Sequence, residues 1–147
     1  MNEHQILTTI KWKIHLKSSP EKVFQFLNSD EGRSKFWVES SQEKDGKIYF
    51  EFPNGYKWVS EIIERITNKK FKIQYIDNSI TTFEIKDDGK GGSDVFLSDE
   101  NVKIEWKDDV LPGWVSVLMN LKASLDFGID LRNHDKYKTW DESYCDN

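Results

Sequence analysis

The chain has 147 residues, 37% of them apolar and 32% charged, with six Trp, five Tyr and nine Phe; that length suits one domain that buries a core without help from disulfides or metals. Its formal net charge of -5, from 26 acidic and 21 basic side chains interspersed along the chain, gives no long-range pull toward phosphate polymers and sets nucleic acid aside as a partner. The lone Cys145 excludes an intrachain disulfide and a Cys-based metal set, and no stretch approaches the roughly 20 apolar residues of a membrane span.

Met1 to Gln5 lack the basic-then-apolar pattern of a signal peptide, so a cytoplasmic protein with a free thiol is expected. Ile10, Trp12, Ile14 and Leu16 then alternate with Lys11, Lys13, His15 and Lys17, the period of a half-buried strand with a basic outer face. Ser19-Pro20-Glu21 switches the signal to helix. Ser19 is placed to accept from an early helical N–H, and Pro20 suits the first position, where a missing N–H costs nothing. Val23, Phe24 and Leu27 share a face. Asn28-Ser29-Asp30 ends this helix, and Asp30 is the candidate cap of a short second one running toward Phe36-Trp37.

From residue 38 to about 104 the pattern is strands and tight turns. Asp45-Gly46 is the strongest hairpin signal, followed by turns at Pro53-Asn54-Gly55, Asn68-Lys69, Asp77-Asn78 and the glycine-rich 87–92. The runs between them alternate, with Ile48, Phe50 and Phe52, then residues 56–66, then Phe71, Ile73 and Tyr75, then Phe83 and Ile85, then Asp94–Ser98 with Val95 and Leu97. About six strands in sequence with short connections predict an antiparallel meander. Lys69-Lys70-Phe71-Lys72 reads as a solvated turn entering a strand. Gly89, Gly91 and Gly92 precede a strand, not a helix, and so form a hairpin turn and not a phosphate cradle. After Pro112-Gly113, residues Trp114, Leu118, Leu121 and Leu125 make one helical stripe, and Gly128 is a natural stop. A polar tail, 130–147, carries Tyr137, Trp140 and Tyr144.

The predicted fold is therefore α+β: a curved antiparallel sheet wrapped around one long C-terminal helix, with two short helices after the first strand. A curved sheet must cover its apolar concave face, and the last helix is the only long element available. Gripping it buries both apolar surfaces. The order of elements, with Ser19-Pro20-Glu21-Lys22-Val23-Phe24, Phe36-Trp37, Phe83-Glu84-Ile85 through Gly91-Gly92-Ser93-Asp94-Val95, Gly113-Trp114 with Leu118, Leu121-Lys122 and Leu125, and Gly128 to Arg132 with Thr139-Trp140, resembles the START-like (Bet v-like) superfamily. Within it, the chain is similar to the group named after the activator of the heat-shock protein 90 ATPase. The resemblance spans nearly all of residues 1–147 and implies the helix-grip fold and an internal cavity. It implies no single activity, since relatives include lipid carriers, hormone binders, cyclases and co-chaperones. The eukaryotic co-chaperone carries a further N-terminal domain that this chain is too short to contain, so chaperone activation is not carried over.

No catalytic or metal constellation is visible. His4, His15 and His134 lack ligand spacing, and no serine sits in a nucleophile elbow. The segment Asp130 to Asp135 around His134 reads better as a hydrogen-bonded tail closing over the domain than as a metal site, and no cofactor is expected. The candidate ligand-binding residues are aromatic and apolar: Trp12, Trp37, Phe50, Trp58, Phe71, Tyr75, Phe83, Trp114, Leu118 and Leu121. Rings with a polar tip suit a pocket that must orient as well as bury its ligand, although the same set is able to fill the core. Glu61, Glu64 and Arg65 are candidate polar cavity groups if the strand register turns them inward, and otherwise solvated charges. The leading expectation is non-catalytic binding of a small apolar or amphipathic molecule. The alternatives are a co-chaperone-type protein partner, met through the tail aromatics, or a cyclase- or hydrolase-type enzyme using Glu61, Glu64 or Tyr75.

Overall fold

Alternation does produce the opening strand. In the computed structural model, which describes residues 5–147, β1 runs Leu7–Leu16 with Ile10 and Leu16 buried and the lysines outside; His4 lies outside the described residues. Helix α1 (Pro20–Asn28) begins as expected: Ser19 Oγ accepts from the Lys22 N–H at 3.3 Å, and Val23, Phe24 and Leu27 are buried. Helix α2 (Asp30–Ser34) differs in its cap. Ser29 takes that position, accepting from Gly32 N–H at 3.0 Å, and Asp30 becomes the first helical residue. There its carboxylate faces the positive helix end and reaches Arg33 at 2.7 Å.

Six strands follow: β2 (Ser40–Lys44), β3 (Lys47–Glu51), β4 (Lys57–Ile66), β5 (Lys70–Tyr75), β6 (Ser79–Asp87) and β7 (Ser93–Lys103). With β1 they form one antiparallel seven-stranded sheet in the order β1-β7-β6-β5-β4-β3-β2, curved and open. The Asp45-Gly46 turn has positive φ at both residues (54° and 77°), as a two-residue hairpin demands. Strand β7 outlasts the alternation of Val95 and Leu97, because it pairs with all of β1, as far as Leu7 opposite Lys103.

Helix α3 (Lys107–Phe127) starts before Pro112, contrary to expectation. Proline removes one early hydrogen bond there, while Asp108 and Asp109 in the first turn favour nucleation at the positive end. The stripe of Trp114, Leu118 and Leu121 is buried against the sheet. Gly128 closes the helix in the left-handed conformation (φ 66°), with the Ile129 N–H reaching back to Ala123 at 3.0 Å. The helix is anchored on the β1 side of the grip. Trp12 Nε1 donates to the Leu111 carbonyl at 3.1 Å, and the Asp126 carboxylate accepts from the backbone of Lys17 (2.9 Å) and Ser18 (3.1 Å).

Candidate functional site

The concave face gathers most of the expected aromatic set around Trp37. Its ring centroid lies 5.1 Å from Phe50, 5.6 Å from Tyr75, 5.6 Å from Phe83 and 5.8 Å from Trp114. Trp37 Nε1 donates to the Tyr75 hydroxyl at 3.0 Å, and Phe71, Leu118 and Leu121 are buried in the same core. Trp58, directly opposite Phe50 on the neighbouring strand, is partly buried against it. Trp12 is a correction. It stands on the inner face of β1, but β1 is the sheet edge, so its ring is 36% exposed and covers the start of α3 instead of facing the others.

The polar candidates are a second correction. A bulge between Ile62 and Glu64 shifts the β4 register, and Glu61 and Glu64 are solvent-facing, the latter 3.2 Å from Lys70. Arg65 pairs with the inward Phe71, yet its guanidinium ends at the rim, on Glu43 at 2.9 Å and Asn28 at 3.1 Å. None of the three presents a charge to the interior. Of the acid–base candidates only Tyr75 is buried, and burial pushes its hydroxyl well above the ordinary tyrosine range.

The interior does hold a carboxylate, and it is Asp99. It is 2% exposed and accepts from Trp114 Nε1 at 2.9 Å and from Thr81 Oγ1 at 2.9 Å. Burial raises its pKa, against the opposing hydrogen bonds of Trp114, Ser79 and Thr81. The signal for it was the alternation itself, since Val95, Leu97 and Asp99 share a face, but a strand ended at Ser98 excludes it. Alternation likewise marks Ser60, within the expected 56–66 strand, which is inward between Trp58 and Ile62 and fully buried. Ser60 Oγ and Trp58 Nε1 have no hydrogen-bond partner among the described residues.

The tail forms a strap. Arg132, 6% exposed, donates to the carbonyls of Val38 (2.9 Å) and Ser34 (2.7 Å) and pairs with Asp130 at 3.0 Å. His134 bridges Glu39 at 2.8 Å and Asp130 at 2.6 Å. Farther along, Asp141 accepts from Asn54 at 3.0 Å and the Cys145 carbonyl from Ser116 of α3 at 3.4 Å. The closing tail expected around His134 is present, and among the described residues no group of His, Cys, Asp or Glu is gathered as a metal site. Burial alone would lower the His134 pKa, but its bonds to Asp130 and Glu39 outweigh this and hold the imidazole above its ordinary value.

Two hollows lie outside the grip, and neither is the expected internal cavity. These are two adjoining surface grooves, of about 490 and 390 Å³, that share Lys69, Ile85 and Asp87 and touch none of the aromatic set but its neighbours in sequence. The aromatic rings themselves occupy the grip.

No protein-family model matches the chain, and no curated protein matches it in sequence. Solved structures do. The Aha1 dimer of Colwellia psychrerythraea superposes with a TM-score of 0.74 at 23% identity, covering 82% of this chain and 98% of that one. The chain has the Aha1-like START fold. A Staphylococcus saprophyticus protein gives a TM-score of 0.72 at 21% identity over 83% of this chain and 94% of its own, and a Mesorhizobium loti protein gives 0.70 at 16% over 81% and 97%. No helix among the described residues is long and apolar enough to cross a membrane.

Proposed function

We propose that this START-fold protein binds a small apolar or amphipathic ligand between the sheet and α3, without catalysis, in the cytoplasm. The observation that carries the reading is the pair of buried, unpartnered groups, Trp58 Nε1 and Ser60 Oγ, set in an aromatic interior. A purely structural core leaves few such groups unmet, because each forfeits its hydrogen bonds to water. Trp37, Phe50, Tyr75, Phe83, Trp114 and Leu118 are the contact residues in this reading. Since their rings now fill the space, the ligand enters by displacing side chains, and its affinity comes from apolar burial less the cost of that rearrangement. Native mass spectrometry of protein purified from its own host, followed by denaturing extraction, tests the reading. A stoichiometric small molecule is the expected result. Protein that emerges empty and shows no thermal shift across lipids and aromatics counts against it.

A second reading, a protein-interaction module, is favoured by the tail, which leaves Tyr137 at 71%, Trp140 at 47% and Tyr144 at 43% exposure. The Colwellia protein is a dimer, so a second copy is one candidate partner here. Affinity capture with and without residues 130–147 separates the two: identical partners, or none, reject the module. The cyclase or hydrolase reading retains only Tyr75, whose raised pKa makes it a poor base.

A further inference from the structure

We infer that the inner wall formed by β3, β4 and β5 is the polar end of the ligand site, and that it selects a neutral molecule carrying a hydrogen-bond acceptor, such as a carbonyl on an aromatic body. The inference rests on the binding reading above and names its ligand class.

Three buried donors border this wall without an acceptor. Trp58 Nε1 and Ser60 Oγ make no hydrogen bond among the described residues. The Tyr75 hydroxyl accepts from Trp37 Nε1, and its own proton has no acceptor there. Their placement is contiguous. Trp58 and Ser60 are two apart on the inward face of β4. Trp58 stands opposite Phe50, whose ring is 6.0 Å from that of Tyr75. Strand β4 pairs Ile62 with β5 Ile73, and Ser60 and Tyr75 each lie two residues from that pair toward the same end. An indole N–H only donates, so the group that completes this patch has to accept.

Charge narrows the class further. A cation would meet donors, and the carboxylate in the aromatic interior, Asp99, is already engaged by Trp114 and Thr81. An anion would find no free buried cation among the described residues. The Arg33 guanidinium is committed to Leu27, Ser41 and Asp30, and that of Arg132 to Val38, Ser34 and Asp130. Asp99 is also close enough to act electrostatically on Tyr75, and it would repel a second negative charge. A neutral acceptor avoids both penalties.

The test uses full-length protein labelled with ¹⁵N in the indole rings and three probes of one shape: benzophenone, diphenylmethane and diphenylacetate. The Trp58 signal is assigned by its absence from Trp58→Phe. Benzophenone is expected to move that indole proton downfield and to bind on the order of five-fold tighter than diphenylmethane, the worth of one neutral hydrogen bond. Ser60→Ala and Trp58→Phe should each narrow that preference while still binding diphenylmethane, which shows that the variants remain folded and competent. Equal binding of benzophenone and diphenylmethane, with Trp58 unmoved, overturns the acceptor assignment and leaves the binding reading intact; a water held permanently by these donors gives this result. Tightest binding of diphenylacetate overturns neutrality. If no probe moves any indole signal at saturation, the inference and the binding reading fall together.

Discussion

The strap makes the protein's response to pH predictable in sign. Both ring nitrogens of His134 face carboxylate oxygens, Nδ1 toward Glu39 and Nε2 toward Asp130, so both bonds exist together only when both nitrogens carry protons. The folded imidazole accordingly holds its proton above the ordinary value of 6.5. A raised pKa contributes stability that is complete below 6.5 and is lost as pH climbs through the folded value. Asp130 works in the opposite sense. Burial pushes it up, but bonds from Arg132 and His134 hold it at about 2, below the ordinary 3.8. Its contribution is complete above 3.8 and disappears as pH falls toward 2. The strap is therefore tightest between about pH 4 and 6.5.

The size of the effect follows from exposure. The His134 side chain is 41% exposed and its partners 32% and 41%, so solvent screens both pairs. Exposed pairs contribute roughly 0.2–1 kcal/mol, and two on one imidazolium about 1 kcal/mol together. For opening of the tail alone, that is about a five-fold change in the open fraction. Amide hydrogen exchange over residues 129–147, corrected for intrinsic rates, should show protection falling by about that factor from pH 5.5 to pH 8. His134→Gln should match the high-pH wild type at both. Equal protection at the two pH values, or a variant that behaves as wild type at pH 5.5, would refute the reasoning.

Ser60→Ala should raise the melting temperature by a few degrees, since removing an unpartnered buried hydroxyl recovers about 1 kcal/mol; a lower melting temperature would mean that the hydroxyl has a partner. Asp99 is raised by burial, so its share of stability is highest below the ordinary 3.8 and declines as pH rises toward the folded value. Asp99→Asn should abolish that decline while still accepting from Trp114, whereas Asp99→Ala orphans Trp114 Nε1 and the Thr81 hydroxyl and should melt about 5 °C below Asp99→Asn at pH 7. Calorimetry at pH 4 and 7 separates the two variants, and identical profiles would reject the assignment. Gly32→Ala should cost about 3 kcal/mol in chemical denaturation, because a methyl there would come within 2.5 Å of the Phe26 carbonyl oxygen, in helix backbone that has little freedom to move.

Much of this architecture is legible in the sequence because local chemistry and burial agree. The Ser19-Pro20 start, the Asp45-Gly46 turn, the Trp114–Leu125 stripe and the Gly128 stop each rest on one short-range rule, and each is found where the rule puts it. The departures come where two local rules compete or where a distant partner decides. Ser29 and Asp30 are both competent caps, and the pairing of Asp30 with Arg33 leaves the cap to Ser29. Pro112 suggests a helix start, yet two acidic residues upstream outweigh one lost hydrogen bond. Trp12 follows the correct alternation on a strand whose edge position no local pattern reveals. The bulge at Ile62–Glu64 turns Glu64 outward and brings Arg65 to an inward position that its guanidinium leaves for the rim, while plain alternation with Trp58 and Ile62 sets Glu61 outside and Ser60, an unassuming residue by type, inside.

The two ends of the grip are not held alike. On the β1 side, α3 is fixed by Trp12, by the Asp126 bonds to Lys17 and Ser18, and by the buried bond from Trp114 to Asp99. Lifting the helix would take the Trp114 donor away from the buried Asp99 and leave Thr81 bonded to it, a cost of several kcal/mol. At the other end, the strap ties the 34–39 segment, the Asn54 turn and α3 together. Its contacts to Glu39, Asn54 and Ser116 are exposed, so water replaces them at little cost when they break. Arg132 is the exception, a buried guanidinium on the carbonyls of Ser34 and Val38, next in sequence to Trp37. Release of the strap therefore loosens the segment that carries the central ring of the aromatic set, whereas release of α3 would dismantle the core. The strap is therefore cheaper to release than α3, and the protonation of His134 sets the pH dependence of that release.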